Sequence, residues 1–128
     1  MISQENQKEL DTFISAASRN PNVIAVILFG SQVSGKTKPT SDIDIAIVRF
    51  KNSMPHDFEE ISYLSESFDV VFFDKLLDTI KFSCITKGRI LVLNNKHEFK
   101  NIKRRFLHRF RDDYMLYQRS MRRMVANV

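Results

Sequence analysis

The stretch LFGSQVSGKTKPTSDIDIAIV, residues 28–48, decides the fold. Gly30-Ser31 closes one apolar run, and Asp42-Ile43-Asp44 opens the next after a ten-residue polar spacer, 32–41. The run before the glycine, VIAVILF at 23–29, is continuously apolar and holds four β-branched residues. It is too short for an ordinary helix and predicts a buried strand. DIDIAIVRF at 42–50 alternates acidic and apolar residues before turning apolar throughout, which predicts a second strand. The spacer, with its Gly and Pro, predicts a loop or a short helical turn.

Working outward, Leu10, Ile14 and Ala17 follow helical spacing, so 4–17 predicts an amphipathic helix that stops at Asn20-Pro21-Asn22. Met54-Pro55 opens a helical stretch through about Glu66, with Phe58, Ile61 and Leu64 facing inward. FDVVFF at 68–73 predicts a third strand. Residues 75–87 predict a helix with Gly88 as its C-terminal cap, and RILVLN at 89–94 predicts a short fourth strand. From 96 to 126 Phe99, Ile102, Phe106, Phe110, Tyr114, Tyr117, Met121 and Met124 recur at steps of three and four, one long helix with Lys and Arg on its other faces. The order predicts an α/β (α+β) domain, a small mixed sheet flanked by helices. Residues 1–95 form its body, and 96–128 form a basic amphipathic helix of the same domain.

Composition narrows the class. The 128 residues are 43% apolar and 27% charged, with three Gly and three Pro, which excludes a disordered or collagen-like chain. The single cysteine, Cys84, excludes a disulfide scaffold and fits a reducing cytoplasm; its apolar surroundings predict a core residue. No apolar run approaches the roughly 18 residues of a membrane span, and MISQENQKELDTF lacks the regions of a signal peptide. Charge is uneven. Residues 1–95 carry ten basic and twelve acidic side chains, whereas 96–128 carry ten basic and three acidic ones. A tail of +7 on a body of −2 predicts an anionic partner.

The chemistry lies with the carboxylates. Residues two apart in a strand share a face, so Asp42 and Asp44 project side by side. Adjacent carboxylates repel unless a cation lies between them, and Mg²⁺ takes such hard oxygen ligands together with substrate phosphates. Asp69 opens the third strand and would complete the cluster if that strand neighbours the second; Asp74, close by, competes for this assignment. Three carboxylates can hold two metal ions. Gly30 lets backbone approach a ligand closely, and Ser31, at the start of a turn, would present N–H groups and a hydroxyl to an anion. Lys36 and Lys38 read as solubilising loop charges, and His56, His97 and His108 have no metal-ligand spacing.

The pattern of Gly-Ser, spacer, Asp-x-Asp and a later strand-borne Asp resembles the nucleotidyltransferase superfamily of DNA polymerase beta. It is similar in spacer to the minimal nucleotidyltransferases, which are often encoded beside a HEPN-domain partner. ITKGRILVL at 85–93 resembles the close of that domain, so the likeness spans about 10–95. It implies that Gly30 and Ser31 hold the nucleotide phosphates. It also implies that Asp42, Asp44 and Asp69 are metal ligands, with Asp69 the base for the attacking hydroxyl. Gln32 and Val33 depart from the Arg and small residue common after Gly-Ser, which bears on nucleotide choice more than on chemistry.

With no acceptor-binding domain in its length, the chain is expected to act on a macromolecule. The resemblance implies an antitoxin that uses two Mg²⁺ ions to transfer AMP from ATP to a tyrosine of a HEPN toxin. The alternatives are an antitoxin that binds nucleotide and blocks its partner without chemistry, and a transferase for RNA or a small molecule. The aromatic stripe at 99–124 predicts packing against the domain, a partner or a second copy of the chain. Nucleic acid contact has no supporting motif.

Overall fold

The sheet is built from the two strands that frame the opening motif. In the computed structural model, which describes residues 2–30, 43–61, 64 and 67–126, β1 (Val23–Phe29) pairs antiparallel with β2 (Ile43–Arg49). β2 pairs in parallel with β3 (Phe68–Phe72), and β1 pairs antiparallel with β4 (Arg89–Leu93). The order is β3-β2-β1-β4, a mixed four-stranded sheet. The two central strands are buried on both faces, which accounts for their continuous apolar runs.

One face is covered by α1 (Gln4–Ser18) and by a 3₁₀ helix at Pro55–Ile61. Leu10, Phe13 and Ala17 of α1 meet Val26, Leu28, Ile43, Ile45 and Ile47 there. Phe58 and Ile61 close the layer, and Phe58 stands edge-on to Phe72 at 5.0 Å. The other face is covered by α2 (Asp78–Lys87) and α3 (Lys96–Ala126), whose Cys84, Phe99 and Ile102 pack on Ile24, Ile27, Ala46 and Val48. Burial of Cys84 pushes its thiol up to about 12, so the side chain is an inert part of this layer.

The ends of the elements have local causes. The hydroxyl of Ser3 accepts from the Asn6 N–H and starts α1. Asn20 stops the chain after α1: its side-chain oxygen accepts from the Asn22 N–H, and its amide donates to the Asp57 carbonyl. Asn94, one residue past β4, donates from its side-chain nitrogen to the carbonyls of Ala17, Asn20 and Val23 at 3.0, 3.2 and 3.0 Å. That one amide ties α1, β1 and β4 together. Asn95 caps α3 by accepting from the Glu98 N–H.

Two expectations change. The stretch after Met54-Pro55 is 3₁₀ and not α-helical over Pro55–Ile61, and its expected end near Glu66 lies outside the described residues. Phe58, Ile61 and Leu64 are spaced by three, which is the period of a 3₁₀ turn, and all pack on the α1 face. The helix expected from 75 begins at Asp78. Residues 73–75 form a separate 3₁₀ turn, and Leu76 and Leu77 are extended. α3 runs over the full expected span, 96–126. No helix among the described residues is long and apolar enough to cross a membrane.

Candidate active site

The site lies where β1 ends and β2 begins. Phe29 stands opposite Asp44 in the antiparallel pair, so Gly30 follows at the level of that carboxylate. Gly30 has φ +78°, a left-handed conformation that a side chain disfavours. A Cβ built on Gly30 would collide with the carboxylate of Asp44. The glycine is therefore required twice, by its backbone angle and by the acid lying against it.

β2 brings in the second acid. Its parallel register sets Asp44 beside Asp69, Ile43 beside Phe68 and Ile45 beside Val70. Residues in register on neighbouring strands share a face, and strands lie about 4.8 Å apart. Ala46 and Val71, each two residues further along its strand, both pack in the layer under α2 and α3, so Asp44 and Asp69 project on that side. Asp44 is half-buried and Asp69 is exposed. A donor pair of this kind, two hard carboxylates of adjacent strands at one end of a sheet, fits a divalent ion that is shared with phosphate oxygens. Ser31 and Asp42 lie outside the described residues. Among the described residues no three His, Cys, Asp or Glu side chains gather to hold a metal.

Asp74, the sequence competitor of Asp69, is placed elsewhere. Arg49 at the far end of β2 donates to both of its oxygens, at 2.9 and 3.0 Å. The same guanidinium stacks on the Phe72 ring at 3.7 Å. Hydrogen bonding from Arg49 holds the Asp74 carboxyl below the usual range, against partial desolvation that would raise it. Asp74 is thus a structural partner at the opposite end of the strand from Asp44. Neither Arg49 nor Asn94 stands out in the sequence, since each role depends on residues at least 25 positions away.

The family described as Polymerase beta, Nucleotidyltransferase matches residues 11–97, from within α1 to the start of α3. The chain belongs to the polymerase beta nucleotidyltransferase family. The same fold is found in a crystal structure of a toxin-antitoxin with AMP-PNP, at 20% identity and a TM-score of 0.58, over 96% of this chain and 98% of that one. It recurs in a crystal structure of the toxin-antitoxin MntA-HepT, at 18% identity, a TM-score of 0.53 and 98% coverage of both chains. A third is the tri-AMPylated Shewanella oneidensis HEPN toxin in complex with MNT antitoxin, at 18% identity and 0.53 over 98% and 97%. No curated protein matches the sequence. In this nucleotidyltransferase the likeness to the solved structures extends past the family match to include α3.

Proposed function

We propose that this nucleotidyltransferase is an antitoxin that transfers AMP from Mg-ATP to a tyrosine hydroxyl of a partner HEPN toxin and so neutralises it. The observation that carries the reading is the convergence of Gly30, Asp44 and Asp69 at one end of the sheet. Two side-by-side carboxylates against a left-handed glycine have little to offer a core, but they suit a metal-bound polyphosphate. The bound AMP-PNP of one structural relative and the AMPylated HEPN toxin beside another support the nucleotide and the acceptor.

In this reading Asp42, Asp44 and Asp69 hold Mg²⁺, two ions with three carboxylates, while Gly30 and Ser31 receive the triphosphate through backbone N–H groups and the serine hydroxyl. Bound Mg²⁺ supplies positive charge to the phosphate oxygens and the departing pyrophosphate. Asp69, the more exposed of the two described acids, takes the proton from the incoming hydroxyl. The tyrosine oxygen forms a bond to the α-phosphorus, the bond from the α-phosphorus to the bridging oxygen breaks, and pyrophosphate leaves. Residues 1–95 form the transferase body, and 96–128 continue it as a basic helix of the same domain.

The test is a mass measurement. The protein, its co-purified partner, Mg²⁺ and each nucleoside triphosphate in turn are incubated, and every intact chain is weighed. The expected result is an AMP-sized gain on the partner with ATP alone, lost in Asp42→Asn/Asp44→Asn while the complex persists. A stable complex with no gain on any chain would replace the enzyme with a binding antitoxin.

A further inference from the structure

A cavity opens at the end of the sheet remote from the acids. β2 and β3 run from Asp44 and Asp69 towards it, and β1 starts there. Ile24, Val48 and Phe50 line it from the sheet side, and Ile102 and Phe106 of α3 wall it. Its volume is about 470 Å³, within the roughly 300–1,000 Å³ of small-molecule sites. Val48 lies four residues along β2 from Asp44, about 13 Å at roughly 3.3 Å per residue. Gly30, Asp44 and Asp69 take no part in its lining.

The charges around this apolar floor do not balance. Asp74 is taken by Arg49, which donates to both of its oxygens. Glu98 is taken by Arg105, at 3.5 Å. Lys51, Lys81 and Arg109 are left. Lys81 and Arg109 share one oxygen of Asp78, at 3.9 and 3.8 Å, both beyond hydrogen-bond length. Lys51 pairs with no carboxylate among the described residues. Three cations against one carboxylate leave two positive charges.

Lys81 is the most withdrawn of the three, with only 14% of its side chain exposed. Its ammonium lies 5.8 Å from the centre of the Phe73 ring and 5.9 Å from that of Phe106, near the outer limit of cation–π contact. Both rings line the cavity, so the charge stands at its wall. Among the described residues Lys81 makes no hydrogen bond. An ammonium has three donors, and one held this far from water is normally hydrogen-bonded. An anion in the cavity would accept from it.

We propose that this cavity binds a small aromatic phosphomonoester. The dianion matches the two uncompensated charges, with Lys81 and Arg109 as donors and the exposed Lys51 at the rim. A carboxylate would leave one of those charges unmet. The apolar floor covers the aromatic body, which inorganic phosphate lacks. The site is independent of the reaction at the other end of the sheet.

The test uses the full chain without metal. Phenyl phosphate, AMP, inorganic phosphate, phenylacetate and benzyl alcohol are titrated in turn, and backbone amide shifts are followed. Phenyl phosphate and AMP are expected to bind one to one and to shift the amides of Val48, Phe50 and Ile102. Inorganic phosphate lacks the body, phenylacetate lacks one charge and benzyl alcohol lacks both. Each should bind at least about tenfold more weakly. If AMP is the tighter of the two esters the ligand is a nucleotide, and if phenyl phosphate is tighter it is a smaller aryl phosphate. Lys81→Gln should weaken binding at least about tenfold. Arg109→Gln, on the exposed surface, serves if the Lys81 variant loses stability. No binding, equal affinity for any of the three controls, or binding indifferent to both variants overturns the proposal. So do shifts confined to Gly30, Asp44 and Asp69, which would put the anion at the acids. No transfer is read in this titration, so it can fail while the mass measurement succeeds, and the reverse.

Discussion

At Gly30 the backbone angle of +78° and the Asp44 carboxylate together leave no room for a methyl group. Gly88 is different. It has φ −71°, open to any residue, and what excludes a Cβ there is the Cys84 carbonyl and the Ile27 side chain. Gly30→Ala is expected to cost about 1–2 kcal/mol for the left-handed angle and to push Asp44 away, so nucleotide transfer falls much further than stability does. Gly88→Ala, whose Cβ would meet Cys84 and Ile27 and neither acid, is expected to lower the melting temperature and leave the activity of the folded fraction unchanged. Equal activity losses in the two would show that Gly30 matters only for folding. At this scale the sequence was legible where chemistry is local. Gly30, Asp44 and Asp69 stand out as types in a pattern. Gly88 is expected as a cap, and it is one, since its N–H donates to the Cys84 carbonyl, which also crowds a Cβ; the second block, from Ile27, lies sixty-one positions away, and no local pattern carries that one.

Among the elements, β1 and β2 follow their apolar runs to within a residue, because a strand buried on both faces must be apolar throughout. The stretch from 55 and the start of α2 were less legible. Spacing by three fits 3₁₀ and α alike over so few residues, and the turn at 73–75 follows β3, whose end is held by Arg49 reaching across from β2. That pair gives a pH prediction. Arg49 lowers the Asp74 pKa, so the native state releases this proton more readily than the unfolded chain does. Its stabilisation is then fully present above the ordinary aspartate value of about 3.9 and is lost as pH falls through the lowered one. Half of the Asp74 side chain is exposed, so the effect is under about 1 kcal/mol. Urea melts should show Asp74→Asn less stable than wild type at pH 7, with the gap closing below about pH 3.9. A gap that persists in acid would mean that the Phe72 stack and shape, and not charge, hold this corner.

For the whole molecule, the mixed sheet and its helices were legible as an order of elements, since period and run length survive without tertiary knowledge. The extent of the body was not. One stripe runs the length of α3, and nothing in its spacing tells Phe106, which is buried, from Tyr117, which is 60% exposed. The change falls where α2 and the sheet end, a matter of assembly and not of local sequence. This leads to a truncation. Ending the chain after Asp112 keeps Phe99, Ile102, Phe106 and the Phe82–Phe110 stack, and removes the exposed part of the stripe. The remaining helix is held by packing and needs no length of its own for stability. The truncated protein is expected to melt within a few degrees of the full chain and to bind ATP with the same affinity, because the core and the end of the sheet that carries Asp44 are untouched. Calorimetry and a nucleotide titration decide it. A large drop in melting temperature would mean that residues 113–126 belong to the folded core in solution.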